Sequence, residues 1–185
     1  ASLLPFHAKS QYYISVMPAF YTTAGNTSSR VTADIELGRQ WKVFSLIVFN
    51  KIIEDNCSRL PKTSELVLAL PGVTSAWLSI LAPGKELKPH RGYYKGILRC
   101  HLGLKIPEGK VAGICVNGET RFWEKGKCLV FDDNFVHHVW NNSNEHRVVL
   151  WLDFLRPLSF GLTCLNKMGV YYFSQSQLIK DILKR

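Results

Sequence analysis

Residues 97–123 read ILRCHLGLKIPEGKVAGICVNGETRFW, and the punctuation of this stretch decides the fold. Two runs rich in β-branched and aliphatic residues, Ile97 to Ile106 and Val111 to Val116, are parted by Pro107-Glu108-Gly109. A third, Thr120 to Trp123, follows Asn117-Gly118, the strongest short-range signal for a hairpin. The same texture extends in both directions. Val73 to Leu81 precedes it and is followed by Pro83-Gly84. Cys128 to Phe131, Val136 to Trp140 and Arg147 to Phe154 come after it, parted by Lys125-Gly126 and by Asn141 to Asn144. Seven short strands at such spacing predict a mainly β jelly roll or barrel.

The flanks read differently. Residues 1 to about 35 are rich in Ser, Thr, Tyr and Ala without periodicity, and predict an irregular arm laid over the core. Arg39 to Ile53 has apolar spacing that suits a helix or a buried strand. Pro61 to Leu70, stopped by Pro71-Gly72, predicts a short helix with Pro near its start. Leu178, Ile179, Ile182 and Leu183 recur at helical spacing and predict a C-terminal docking helix, the stripe being short for a membrane-surface helix.

Composition bounds the function. A chain of 185 residues with 46% hydrophobic and 20% charged residues can bury a core, and predicts one domain over 1–185 with its β core at 73–157. The formal net charge of +9 is compatible with nucleic acid, an anionic surface or an acidic substrate, but the cations are dispersed, which argues against nucleic acid. Five cysteines with no C-x-x-C pair argue against a disulfide framework and a structural zinc site. They predict a cytoplasmic or membrane-associated location facing a reducing compartment. No apolar run is long enough to span a bilayer. The chain starts at Ala1, so an anchor trimmed from in front of it is one expectation. Oligomeric state is not legible.

Two histidines and two arginines stand out. In a strand, Arg99 and His101 share one face while Leu98, Cys100, Leu102 and Leu104 share the other. Arg147 opens a run that should be substantially buried, and a buried guanidinium needs a bidentate anion: a carboxylate ligand, or an internal salt bridge to an acid such as Asp153. His90 and His137 are candidate transition-metal ligands, since neutral imidazole suits iron with exchangeable positions.

Together these residues resemble the aspartyl/asparaginyl β-hydroxylase family of Fe(II)/2-oxoglutarate dioxygenases, which also includes lipid A acyl-chain hydroxylases. The resemblance runs from about Trp77 to Pro157. It is carried by Ser79 to Gly84, Pro89-His90-Arg91-Gly92, Leu98 to Leu104, Trp123 to Lys127, Phe131 to His137, Arg147, Asp153 and Arg156-Pro157. It implies a double-stranded β-helix, cupin-like, with flanking N-terminal and C-terminal helices. It also implies His90 and His137 as iron ligands, with His137 chosen over His138 by its spacing from Arg147. Ser79 and Arg147 would hold the far carboxylate of 2-oxoglutarate, and Arg99 and His101 the carboxylate nearer the iron. Asp133 would fix an iron-bound water as a hydrogen-bond acceptor.

Two departures shape the substrate expectation. Many such dioxygenases carry an acid two residues after the first histidine; here Gly92 stands there, as in the aspartyl/asparaginyl hydroxylases, so two-histidine iron is the reading. The animal peptide hydroxylases carry an arginine two residues before the oxoglutarate-binding arginine; here Ile97 occupies that position, leaving Lys88, Arg91 and Lys95 as candidates for substrate contact. The expected reaction is O2-dependent hydroxylation of an unactivated carbon, first of all the β-carbon of Asp or Asn in a peptide or protein. The alternative is an acyl chain on lipid A or a similar anionic lipid, favoured by Ile97 and the basic balance and disfavoured by Gly92. A third reading is a non-catalytic jelly-roll binding module.

Overall fold

The computed structural model describes residues 35–36 and 41–183. The arm expected over residues 1 to about 35 lies, but for its last residue, outside them. Eleven strands and four helices follow in order: β1 (Ile35–Glu36), β2 (Trp41–Val48), β3 (Lys51–Ile52), α1 (Glu54–Arg59), α2 (Pro61–Leu68), β4 (Val73–Leu81), β5 (Lys85–His90), β6 (Ile97–Lys105), β7 (Ala112–Val116), β8 (Glu119–Phe122), β9 (Cys128–Phe131), β10 (His137–Asn141), β11 (Arg147–Leu155), α3 (Phe160–Ser174) and α4 (Gln177–Leu183). They build a mainly β jelly roll of two antiparallel sheets. The larger has the order β1-β2-β4-β11-β6-β9 with β3 on β2, and the smaller the order β5-β10-β7-β8.

Period two sorts the residues of β11 between two cores. Leu150, Leu152 and Phe154 face a layer with Phe44, Leu78 and Leu102 that Leu60, Val67 and Leu70 cover from the helical segment. Val149 faces the other way, into an inter-sheet core with Leu81, Ile114, Val116, Trp123, Phe131 and Val139. Arg147, Trp151 and Asp153 share the parity of Val149 and therefore face the small sheet. Arg99 and His101 do the same on β6, because Cys100 and Leu102 belong to the helix-covered layer. A third cluster, Val48, Phe49, Val170 and Ile179 with Trp77 and Tyr94, packs the C-terminal helices onto the end of the barrel.

The strands predicted from Val73 onward are present with boundaries within a residue. Arg39 to Ile53, open between helix and strand, resolves as β2 and β3, in keeping with its β-branched and aromatic content. Four elements have no counterpart in the sequence reading: β1, α1, β5 and α3. β5, Lys85-Glu86-Leu87-Lys88-Pro89-His90, carries one aliphatic residue and a Pro, which is tolerable because β5 is the edge of the small sheet.

Candidate active site

The edge strand delivers the first histidine. His90 ends β5, His137 opens the neighbouring β10, and the two are direct cross-strand partners with ring centroids 4.3 Å apart. Each ring is pinned through Nδ1, His90 to the Lys88 carbonyl at 2.7 Å and His137 to the Phe135 carbonyl at 3.0 Å. A carbonyl only accepts, so in the neutral ring Nδ1 carries the hydrogen and Nε2 keeps its lone pair. Burial first, then His90 and Arg99 nearby, hold His137 down to about 4, so it is neutral at physiological pH. His138 faces the opposite side of β10, its ring 5.5 Å from Trp140.

Adjacent aspartates have separate tasks. Asp132 forms the turn: its Oδ1 accepts from the Asn134 backbone and side-chain amides and its Oδ2 from Arg156 at 2.7 Å. Although burial pushes Asp132 up, those hydrogen bonds hold its carboxyl below the ordinary value. Asp133 points inward, fully buried, with the Arg99 guanidinium 2.9 Å from Oδ2 in an ion pair not aligned as a hydrogen bond. Burial raises the Asp133 carboxyl to about 6 against the pull of Arg99. A Cβ on Gly92 would fall on this carboxylate, and the Gly92 amide donates to the Asp133 carbonyl at 2.7 Å. A carboxylate side chain at position 92 therefore has no room, because Asp133 fills that space.

Arg99 is held from three sides. Its Nε donates to Asp153 at 2.8 Å, its Nη2 meets Asp133 and Asp153, and its guanidinium lies 3.8 Å from the centre of the Trp151 ring. Asp153 is thus the partner of Arg99 and not of Arg147.

Arg147 sits 1% exposed with no carboxylate beside it among the described residues. Its Nη1 donates to the Ser79 carbonyl and hydroxyl at 3.2 and 3.3 Å, its guanidinium rests 4.7 Å from the centre of the Trp123 ring, and its Nε has no partner. Burial pulls this guanidinium down to about 9, the mark of a cation without an anion.

His101 lies between the two halves. Burial, then the charges of Arg147, Arg99 and His137, hold it well below the ordinary imidazole value, and neither of its ring nitrogens has a hydrogen-bond partner. Its ring touches Phe131, whose ring touches His137 in turn. Trp123 Nε1 is also unpartnered. Buried polar groups are nearly always satisfied, so four unmet atoms on three neighbouring residues, His101, Trp123 and Arg147, mark a cradle for a ligand rich in acceptors. A dicarboxylate with one end on Arg147 and the other toward His137 has that chemistry. Beside the cradle, Trp77 and Trp41 stack on Trp151 at 5.0 and 6.2 Å, and the Trp41 indole donates to the Ser79 hydroxyl at 2.9 Å.

The profile of the aspartyl/asparaginyl β-hydroxylase family matches residues 15–157. The chain belongs to that family. An ornithine lipid ester-linked acyl 2-hydroxylase from Rhizobium tropici is 44% identical over 126 residues, 67% of this chain and 44% of that protein. The human aspartyl/asparaginyl β-hydroxylase is 37% identical over 122 residues, 63% of this chain and 16% of that protein. The chain spans less than half the length of these relatives. Among solved structures, the cupin domain of an XRE-family transcriptional regulator from Enterobacter cloacae aligns at TM-score 0.45 and 15% identity, over 64% of this chain and 100% of that one.

In this hydroxylase-family chain the residues singled out from sequence fall into two groups. Ser79, His90, Arg99, His101, Asp133, His137 and Arg147 come together between the two sheets and at their edge. Lys88, Arg91 and Lys95 remain exposed on β5 and the loop after it. Arg91 donates to the Asn134 carbonyl at 3.0 Å and thereby ties that loop to the Asp132 turn. The sequence reading assigned no part to Trp123 or Trp151, the rings beneath the two buried guanidiniums. Their signal is positional: Trp151 lies two residues from Asp153 and four from Arg147, on the same strand face.

Proposed function

We propose that this chain is an iron(II)- and 2-oxoglutarate-dependent hydroxylase whose substrate is the acyl chain of a membrane lipid. The cofactor half of the reading is supported by the unmet donors of Arg147, Trp123 and His101 on one side and the paired His90 and His137 imidazoles on the other. His90 and His137 would hold the metal through Nε2. Ser79 and Arg147 would bind the far carboxylate of 2-oxoglutarate, and His101 the near one, together with Arg99 Nη1, which has no hydrogen bond among the described residues. Bound iron and 2-oxoglutarate supply the oxidising equivalents for O2-dependent hydroxylation, with succinate and carbon dioxide as coproducts.

The protein's own residues have three tasks. Arg147 and Ser79 fix the far end of the cosubstrate by charge and hydrogen bonding in a dry interior, where such bonds are strong. Asp133 and Asp153 clamp Arg99, so that its position is set before a ligand arrives. Phe131 and the three stacked indoles line the cavity with apolar surface that excludes water.

One observation carries the substrate half. Arg99, the buried cation nearest the histidines, is already neutralised by two carboxylates, and Ile97 is an apolar core residue. With Arg147 given to the far carboxylate of 2-oxoglutarate, the described interior offers no further positive charge for an acidic side chain, whereas an acyl chain needs none. The 44% identity to a lipid acyl hydroxylase points the same way. Hydroxylation of Asp or Asn, favoured from sequence because of Gly92, is the second reading, with the exposed Arg91 and Lys95 left to grip the substrate and the human relative in its support.

The test is O2-dependent succinate release with added Fe(II), run with acyl lipid dispersed in detergent and, in parallel, with Asp and Asn peptides. Release stimulated by lipid and abolished in His137→Ala is the expected result. Stimulation by peptides alone would replace the substrate assignment with the second reading. No succinate under either condition would leave the binding module standing.

A further inference from the structure

α3 is built inside out. Its buried positions are Asn166, Val170 and Ser174, two of them polar, while Phe160, Leu162, Leu165, Met168, Tyr171 and Tyr172 are all exposed. At about 100° per residue, five of these six, all but Leu162, share one arc of roughly 140°, together with exposed Cys164.

Specific contacts enforce this orientation. The Asn166 side-chain amide donates to the Gly96 carbonyl at 2.7 Å, the Tyr94 hydroxyl donates to Asn166 Oδ1 at 2.9 Å, and a Cβ on Gly169 would collide with that hydroxyl. The helix is thus bolted, polar side inward, to the loop that follows His90. Its apolar side faces out beside the mouth of the candidate site, where Tyr93 is 81% exposed.

Charge identifies what covers this face. No acid lies between Asp153 and Asp181, and of the three cations in that stretch Arg156 is held by Asp132 while Lys167 and Lys180 are exposed. Exposed Lys88, Arg91 and Lys95 stand on the adjoining rim. An apolar helix face bordered by cations, with two tyrosines at its end, is the pattern of a helix lying in the headgroup region of an anionic bilayer. No helix among the described residues is long and apolar enough to cross a membrane, so the contact is interfacial.

We infer that the exposed face of α3 docks on an anionic lipid bilayer and sets the mouth beside His90 against the membrane surface. The inference deepens the acyl-chain reading and rests on it for its purpose, while the docking itself stands on α3 alone.

The test uses the full chain with a nitroxide label on Cys164, the one exposed cysteine of the five. It is mixed with phosphatidylcholine vesicles, with or without phosphatidylglycerol. Expected is flotation with the anionic vesicles, weakened by salt, with the nitroxide gaining collisions with oxygen and losing them with a water-soluble nickel complex. Leu165→Glu with Met168→Glu should weaken binding by roughly tenfold or more, and leave detergent-dispersed lipid hydroxylated as before. Failure to bind anionic vesicles overturns the proposal. So does a label shielded without vesicles, whether relieved by dilution, which would make the face a contact between copies, or by deleting residues 1–34, which would make it the seat of that arm. Docking without acyl hydroxylation in detergent would sink the substrate reading and keep this one.

Discussion

Arg147 is a buried cation with no anion among the described residues, and its thermodynamics follow from that. Without ligand its burial is a liability, so Arg147→Met is expected to leave the unliganded protein equally stable or up to about 3 kcal/mol more stable in chemical denaturation. The wild type, but not the variant, should gain about 2.7 kcal/mol from 2-oxoglutarate at a hundred times its Kd, with a redox-inert divalent ion present. Equal stabilisation of both would remove Arg147 from the ligand site. Asp133 gives a pH signature. Its carboxyl titrates at about 6 in the folded chain against an ordinary 3.8, so between those values the folded state binds the proton more tightly than the unfolded. That carboxyl by itself favours the folded metal-free protein as pH falls through 6 toward 4, by the order of 1–3 kcal/mol, while His137, held down to about 4, and His101 oppose it over the same range. The Asp133 contribution is therefore read as a difference: Asp133→Asn should be the more stable protein at pH 7 and lose that advantage toward pH 4, whereas parallel curves for the two would show that another group is responsible. From sequence, the identity of these side chains was legible because each ligand type stands in a spaced motif. Their partners were not. The pairing of Asp153 with Arg99 instead of Arg147 depends on which residues the register of β11 and β6 sets opposite each other, and there it is Asp153 with Arg99.

At the scale of elements, the runs from Val73 onward could be read because alternation and turn residues agree, and β5 could not because an edge strand has little to bury. That strand nonetheless supplies one of the two proposed metal ligands. An edge held on one side only should open more readily than the central β4 or β11. A metal bridging His90 and His137 would staple β5 to β10, so adding Mn(II) is expected to slow amide exchange across residues 85–90 and leave β4 and β11 unchanged. Protection that persists in His90→Ala would show the ion to be bound elsewhere. α3 escaped the reading for a related reason: helix signals are sought in an apolar stripe that turns inward, and in α3 the stripe turns outward.

Across the whole molecule, the two sheets are unequal, and the C-terminal helices complete the core at one end. The family match stops at Pro157, yet Val170 and Ile179, beyond it, are each 1% exposed in a cluster with Val48 and Phe49. On the large sheet, Trp41, Trp77 and Trp151 form one stack. That stack gives the protein an optical gauge of its own state. Trp41 shares the Ser79 hydroxyl with Arg147, and Trp151 carries the Arg99 guanidinium on its face. A dicarboxylate drawn onto Arg147 must disturb the first indole, and a ligand reaching Arg99 the second. Near-ultraviolet excitation of the unlabelled chain should therefore report cosubstrate binding as a saturable change in emission, absent in Arg147→Met and reduced in Trp41→Phe. The residues that keep water out of the cavity would also make its occupancy visible.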